Sequence, residues 1–360
     1  MTAKPKSGEI RKFIISNVEE HPSEIAKITA EHFGITRQAV SRHLATLIDD
    51  EILEADGKTK KRTYSLKSHY FSVTLSLAEH NQEDIVWRDI VSPHFEGLSD
   101  HNRSIWYYGF TEMYNNAIDH SEGTNVRVYV NRNAINITLG IHDDGIGIFE
   151  KIKTRFDLID HRHAILELLK GKLTTDPRNH SGQGIFFTSR IFDYFTIESD
   201  GQFFSHRQDL KDDWLLDTGD EPEKGTRVVM EIAIDSPRTT KEIFDQYSNL
   251  DSGEYEFSKT KVPLRLAQFG KDGLVSRSQA KRVLARCEAF EEVILDFDGI
   301  DSIGQAFADE IFRVFASQHP DVRISAWGTN QDVRNMIERA KTQLAEDRKN
   351  SGNNSTGRGS

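Results

Sequence analysis

The 360 residues predict a mixed α/β protein built from several domains. Three observations carry that expectation. Residues 1–67 show helical apolar spacing interrupted by Pro22 and Gly34 and end in a short basic hairpin. Between 101 and 235 a long amphipathic helix leads into strands with a period of two, as in Ile137, Leu139, Ile141. From 258 to 345, buried strands and amphipathic helices alternate, the pattern of a small α/β sheet domain. The expected boundaries are 1–67, a connector 68–100, 101–235, a linker 236–257, 258–345, and a disordered tail 346–360 rich in Asn, Ser and Gly.

Composition narrows the function classes. The net charge is −11, which excludes a protein that coats nucleic acid along its whole surface. The charge is uneven, however. Residues 1–67 hold 12 Lys and Arg against 10 Asp and Glu, while the remainder carries −13. A mildly basic end on an acidic body fits DNA contact confined to that end. The single cysteine, Cys287, excludes an intrachain disulfide, suits a reducing compartment and falls in an apolar helical run. No apolar run reaches ~18 residues and no signal-peptide pattern opens the chain, so no membrane partner is expected and the expected location is cytoplasmic.

In the N-terminal unit, Ile10, Phe13, Ile14 and Val18 give a first helix. Ser23 is the expected N-cap of a second, which Gly34 ends. Thr36 is the expected cap of a third, whose buried stripe is Val40, Leu44, Leu47 and Ile48. Arg37, Gln38, Ser41, Arg42 and His43 point away from that stripe, and Lys58, Lys60, Lys61 and Arg62 follow in the hairpin. This arrangement resembles the winged helix-turn-helix of bacterial transcription regulators. The resemblance implies double-stranded DNA as partner, the third helix in the major groove, and the hairpin cations on the backbone. Arg and Gln would read base edges, with Ser and His more often on phosphate. Two half-sites would call for a homodimer. The competing reading is a helical dimerisation module with a solvated charged face.

The connector carries Phe71, Val73, Leu75 and Leu77, then an expected helix from Gln82 to His94. It is too short for the phosphoacceptor hairpin of a sensor kinase, so His80, His94 and His101 read as surface or interface residues.

The run from Glu112 to His120 organises the middle of the chain. Trp106, Phe110, Met113, Tyr114 and Ala117 form its buried face. Glu112 and Asn116 are four apart and project together, a carboxylate beside a carboxamide that suits a phosphate-bound magnesium ion and a water. Three further stretches follow: His142-Asp143-Asp144-Gly145-Ile146-Gly147, then His180-Ser181-Gly182-Gln183-Gly184-Ile185, then Lys224-Gly225-Thr226. In this order the four resemble the N, G1 and G2 boxes and terminal threonine of the GHKL ATPase superfamily, over roughly residues 95 to 235. The resemblance implies the Bergerat α/β sandwich, with ATP and Mg²⁺ as cofactors. Glu112 then matches the general base of hydrolysing members, and Asn116 the magnesium ligand. Asp143 matches the acceptor for the adenine amino group. Gly145 and Gly147 allow close backbone approach to the purine, and Gly182 and Gly184 open a helix toward the phosphates. Thr226 reinforces the adenine contact. The segment from Ile148 to His180 matches a lid rich in Lys and Arg.

The C-terminal stretch from Leu295 to Phe312 resembles a STAS-like domain of the DUF4325 type, distantly similar to anti-anti-sigma factors. Ala306 stands where those factors carry a phosphorylated serine, with Ser302 on the preceding loop. The departure favours docking of a protein partner over self-phosphorylation. The expected function is an ATP-binding, DNA-binding transcriptional regulator. The alternatives are an anti-sigma-factor-type kinase acting on a partner and a DNA-processing ATPase. Whether ATP is hydrolysed, transferred or only sensed stays open.

Overall fold

The computed structural model describes residues 6–58, 61–173, 182–208, 214–217, 223–248, 257–268 and 273–355. At the N-terminus, α1 (Ser7–Asn17), α2 (Ile25–Phe33) and α3 (Arg37–Asp49) close a small core of their own. Ile10, Ile14, Val18, Ile25, Val40, Leu44 and Leu47 fill it. The hairpin of β1 (Leu53–Asp56) and β2 (Thr63–Leu66) covers one side, with Leu53 opposite Leu66. Thr36 caps α3 by accepting the Ala39 N–H at 3.2 Å. Gly34 ends α2 at φ 63°, a left-handed position that glycine adopts without a Cβ clash. Ser23 is not a cap. It lies inside a turn closed by the Glu24 N–H on the His21 carbonyl, and α2 begins two residues later.

The expected connector is part of the central unit. Residues His69–Ser76 form β3, the edge strand of a seven-stranded sheet. The helix expected at 82–94 is broken into α4 (Glu83–Val86), a π-helical turn and a 3₁₀ turn that ends at Phe95. Trp87, Val91 and Phe95 from these turns pack on α5 (Asp100–His120). The remaining central elements are β4 (Asn125–Arg132), β5 (Asn136–Asp143), α6 (Ile148–Arg155), α7 (His161–Lys170), α8 (Gly184–Ile191), β6 (Tyr194–Ser199), β7 (Gln202–Arg207), β8 (Trp214–Asp217), β9 (Thr226–Ala233) and α9 (Thr240–Tyr247). The sheet runs β3-β4-β5-β9-β6-β7-β8, and every neighbouring pair is antiparallel. Alternate residues of β4, β5 and β9 are buried, so helices cover one face. The five apolar residues expected to face inward from α5 are all buried. Each large one contributes about 1.5–3 kcal/mol by leaving water.

Because β9 inserts between β5 and β6, it brings the ends of three strands to one edge. Arg227 pairs with His142, and Thr226 with Ser199. Asp143, Ser199 and Thr226 thereby become neighbours.

In the C-terminal unit, β10 (Lys259–Pro263), β11 (Glu292–Asp296) and β12 (Arg323–Trp327) form a parallel sheet in that order. The helices α10 (Arg277–Leu284) and α11 (Gln305–Asp309) make the crossovers. A π-helical stretch prolongs α11 into α12 (Ala316–Gln318), and α13 (Gln331–Ser355) follows β12. Two expectations are corrected here. The linker 236–257 contains α9, started by a capping box between Thr239 and Glu242. The tail is helical as far as Ser355. One continuous apolar core joins the central and C-terminal units.

Candidate functional site

A cavity of about 230 Å³ opens between α5, the ends of β5 and β9, α6, α7 and the start of α8. Glu112 and Asn116 enter it from α5, Asp143 from β5, Thr226 from β9, and Gly182 and Gly184 from the entry to α8. Gly145 and Gly147 lie in the loop that leaves β5. Met113, Ile141, Ile152, Leu168 and Val228 supply apolar walls. A mostly apolar cavity with a few convergent polar groups is the usual form of a small-molecule site.

The two adjacent aspartates have different tasks. Asp143 is only 6% exposed. Its Oδ1 accepts the N–H groups of Gly145 (2.9 Å) and Thr226 (3.2 Å). Its Oδ2 has no protein donor among the described residues, and the side chain lines the cavity. Burial pushes its carboxyl above the usual range, against those two hydrogen bonds. Asp144 instead accepts four bonds from the backbone and side chains of Thr124 and Asn125. The Asn125 donors, followed by Thr124, hold its carboxyl far below the usual range. Asp144 therefore ties β5 to the loop after α5 and does not face the cavity.

Two of the glycines stand where a side chain would meet a carboxylate. Gly147 sits at φ 90°, and a side chain there would strike the Asp200 carboxylate. A Cβ on Gly184 would meet the Glu112 carboxylate, which places Glu112 against the first turn of α8. Asn116 is half-buried beside the cavity, and among the described residues its side chain makes one weak hydrogen bond, from Nδ2 to Met113 Sδ at 4.0 Å. Its carbonyl oxygen is thus available to a hard cation. Among the described residues there is no cluster of three or more His, Cys, Asp and Glu that could hold a metal. A divalent ion at Asn116 would take its other ligands from phosphate and water, which suits Mg²⁺.

Sequence reasoning missed three residues here. Ser199 and Asp200 hold the glycine loop: Ser199 Oγ and Thr226 Oγ1 accept the Ile148 N–H, and Asp200 accepts the Glu150 N–H at the start of α6. The Asp200-Gly201 turn dipeptide was their only local signal. Tyr108 lies one helical turn before Glu112. Burial first, then the Glu112 charge, raise its phenol far above the usual range.

The described cations of the segment expected to be a lid mostly turn away from the cavity. Lys151 lines it, but its ammonium donates to the His120 carbonyl at 2.7 Å and pairs with Glu122. Lys153 pairs with Glu150, and Arg162 reaches the Gln268 carbonyl. Arg178, His180 and Ser181 lie outside the described residues. Lys170 and Lys172 reach into the C-terminal unit, donating to the carbonyls of Ala285 and Ala289.

That unit has three parallel strands with helical crossovers, and residues 279–334 match the family described as STAS-like domain of unknown function (DUF4325). It is a STAS-like domain. No curated protein matches the chain. The STAS-like domain carries Ala306 in the first turn of α11 and Ser302 exposed on the loop before it. Its contact with α7 is a buried ion cluster. Glu167 and Lys170, 2.5 Å apart, are both 2% exposed at the side chain. His163 and Arg286 approach Glu167 at 3.6 and 4.0 Å. Burial opposes ionisation of Glu167, but His163 and Lys170 hold its carboxyl below the usual range. The Thr260 hydroxyl of β10 donates to the Lys170 carbonyl at 2.8 Å. The same helix lends Leu168 to the cavity wall, so α7 touches both the cavity and the STAS-like domain.

At the other end of the chain, Arg37, Gln38, Ser41 and Arg42 are exposed along α3, and His43 is half-buried. The Ser41 hydroxyl donates to the Arg37 carbonyl, which leaves its lone pairs for an incoming donor. Lys61 and Arg62 are exposed at the hairpin, with Arg62 5.2 Å from the Tyr64 ring centre. Lys60 lies outside the described residues. Among the described residues no helix is long and apolar enough to cross a membrane.

Proposed function

We propose that this chain is an ATP-responsive, DNA-binding regulator. In this reading the N-terminal unit is a winged helix, the central unit is a GHKL-type Bergerat sandwich, and the cavity takes Mg-ATP. One observation carries it: side chains from stretches as far apart as Glu112 and Thr226 line a single cavity. Their chemistry is divided as adenosine triphosphate requires. At the β5 end, Asp143 offers a buried acceptor oxygen for an exocyclic amino group. Guanine presents an oxygen at that position and would be refused. At the α8 end, bare backbone amides beside Gly184 suit phosphate oxygens. Asn116 lies between with a carbonyl oxygen for Mg²⁺, which would neutralise phosphate charge. Glu112 is positioned on a rigid helix to accept a proton from water if hydrolysis occurs. The state of the cavity would reach the STAS-like domain through α7. In the third helix, Arg37, Gln38, Ser41, Arg42 and His43 would face double-stranded DNA, with Lys60, Lys61 and Arg62 on the backbone. Two copies would read two half-sites.

Asp143→Asn tests the cavity. Oδ1 must remain an acceptor for the Gly145 and Thr226 N–H groups, so the new amide would turn its NH₂ toward the ligand. A donor would then oppose the adenine amino group. Mg-ATP affinity should fall by about ten- to a hundredfold, the range for losing a charge-assisted hydrogen bond. Unchanged affinity, measured by titration calorimetry, defeats the assignment. Following γ-labelled ATP with wild type and Glu112→Ala separates the chemistries. Free phosphate lost in the variant supports hydrolysis with Glu112 as base. The presence of a STAS-like domain keeps a second reading alive, a protein kinase, and label on protein would favour it. Equal DNA affinity with and without Mg-ATP counts against the regulator.

A further inference from the structure

We infer that the groove between the central unit and the STAS-like domain is a second ligand site, anchored by Arg190 and shaped for a small phosphate ester. The groove has a volume of about 570 Å³, within the usual range for small-molecule pockets. One wall is Arg190 at the end of α8 with Glu242, Ile243, Gln246 and Tyr247 of α9. The other is the carboxyl end of β10 and β11, contributing Lys261, Asp296 and Asp298. Open parallel sheets commonly bind ligands outside the carboxyl ends of their strands.

Arg190 decides the chemistry. It is 8% exposed, yet no carboxylate lies within ion-pair distance of it among the described residues. One amino group donates to the Phe186 carbonyl at 3.0 Å and to Ser189 Oγ at 2.9 Å. The guanidinium stacks on Phe186, 3.7 Å from the ring centre. Its other N–H groups have no acceptor among the described residues, and the side chain lines the groove. Neighbouring cations differ. Arg238 is bound to Asp193 and Lys261 to Asp296, each at 2.7 Å. Their charges are balanced in place, whereas Arg190 is a buried cation with no carboxylate beside it among the described residues. An uncompensated buried charge is costly. A guanidinium held flat by a ring, with one edge open, is a fork for an oxyanion. On the facing wall, the Asp298 carboxylate also has no donor among the described residues. It suits a hydroxyl on the same ligand, which favours a hydroxylated phosphate ester over bare phosphate.

The test is calorimetric titration of the full chain with glycerol 3-phosphate. Saturable binding with a Kd of about 1 mM or tighter is expected. Arg190→Met keeps the packing on Phe186 and should weaken binding at least tenfold. Gln246→Glu adds a negative charge at the exposed rim of the groove, without disturbing the core, and should weaken it severalfold. Asp298→Asn should narrow the preference for the ester over inorganic phosphate. Absence of saturable binding overturns the proposal. So does binding that survives both Arg190→Met and Gln246→Glu, or that falls instead with Asn116→Ala in the other cavity.

Discussion

Replacing Lys170 by methionine tests whether α7 joins the central unit to the STAS-like domain. The ammonium is 2% exposed and donates to Glu167 Oε1 at 2.5 Å, to the Ala285 carbonyl at 2.8 Å and to the Arg282 carbonyl at 3.2 Å. The last two bonds cross the interface. Removing one partner of a buried ion pair costs about 3–5 kcal/mol, because the survivor stays charged out of water. His163 and Arg286 remain near Glu167, so the lower end, about 3 kcal/mol, is expected. Methionine retains most of the aliphatic volume, so the cavity term is small. A domain's total stability is about 5–15 kcal/mol, so this loss is readily measured. Urea unfolding followed by tryptophan fluorescence is the assay, since Trp87 and Trp106 are buried in the central unit. Glu167→Gln combined with Lys170→Met removes both charges and should recover much of the loss. A loss below about 1 kcal/mol, or a double variant no better than the single, refutes the reasoning. The pH dependence has a definite sign. Glu167 is held below its ordinary value of 4.5, so its contribution is fully present above that pH. It disappears as pH falls through the lower folded value, and wild type and double variant should converge there.

Three further outcomes are expected. Gly184→Ala should leave the unfolding midpoint nearly unchanged, because the atoms in the way belong to the Glu112 side chain and not to backbone; it should still abolish any ATP hydrolysis, measured as phosphate release. Cys287 is fully buried, and burial pushes its thiol up to about 11. At pH 8 its alkylation should be at least ~100-fold slower in the folded chain than in urea, read by mass spectrometry. Arg42→Ala should weaken duplex binding and lower the slope of log affinity against log salt by about one, by fluorescence anisotropy.

Local signals were sufficient where the relevant interaction spans a few residues. Thr36 and Gly34 could be assigned because caps act within one turn, and the buried face of α5 because helical spacing repeats along one segment. Ser23 misled because a turn and a cap favour the same residue types. Phe71 to Leu77 read as a connector because edge-strand pairing with β4 depends on residues about fifty to sixty positions away.

The sequence by itself determined the alternation of elements, the glycines at the loop after β5 and before α8, the STAS-like character of 279–334, and the uneven charge. The resemblance to the G1 box singled out Asp143 over Asp144, but residue type and spacing gave no physical reason for the choice. The tertiary structure supplies that reason. Insertion of β9 between β5 and β6 carries the Thr226 amide to one Asp143 oxygen and leaves the other facing the cavity. The orientation of the cations between Ile148 and Lys172, and the lack of a carboxylate beside Arg190 among the described residues, were likewise decided there. Pairing and burial depend on which distant segments meet, and no local spacing encodes that.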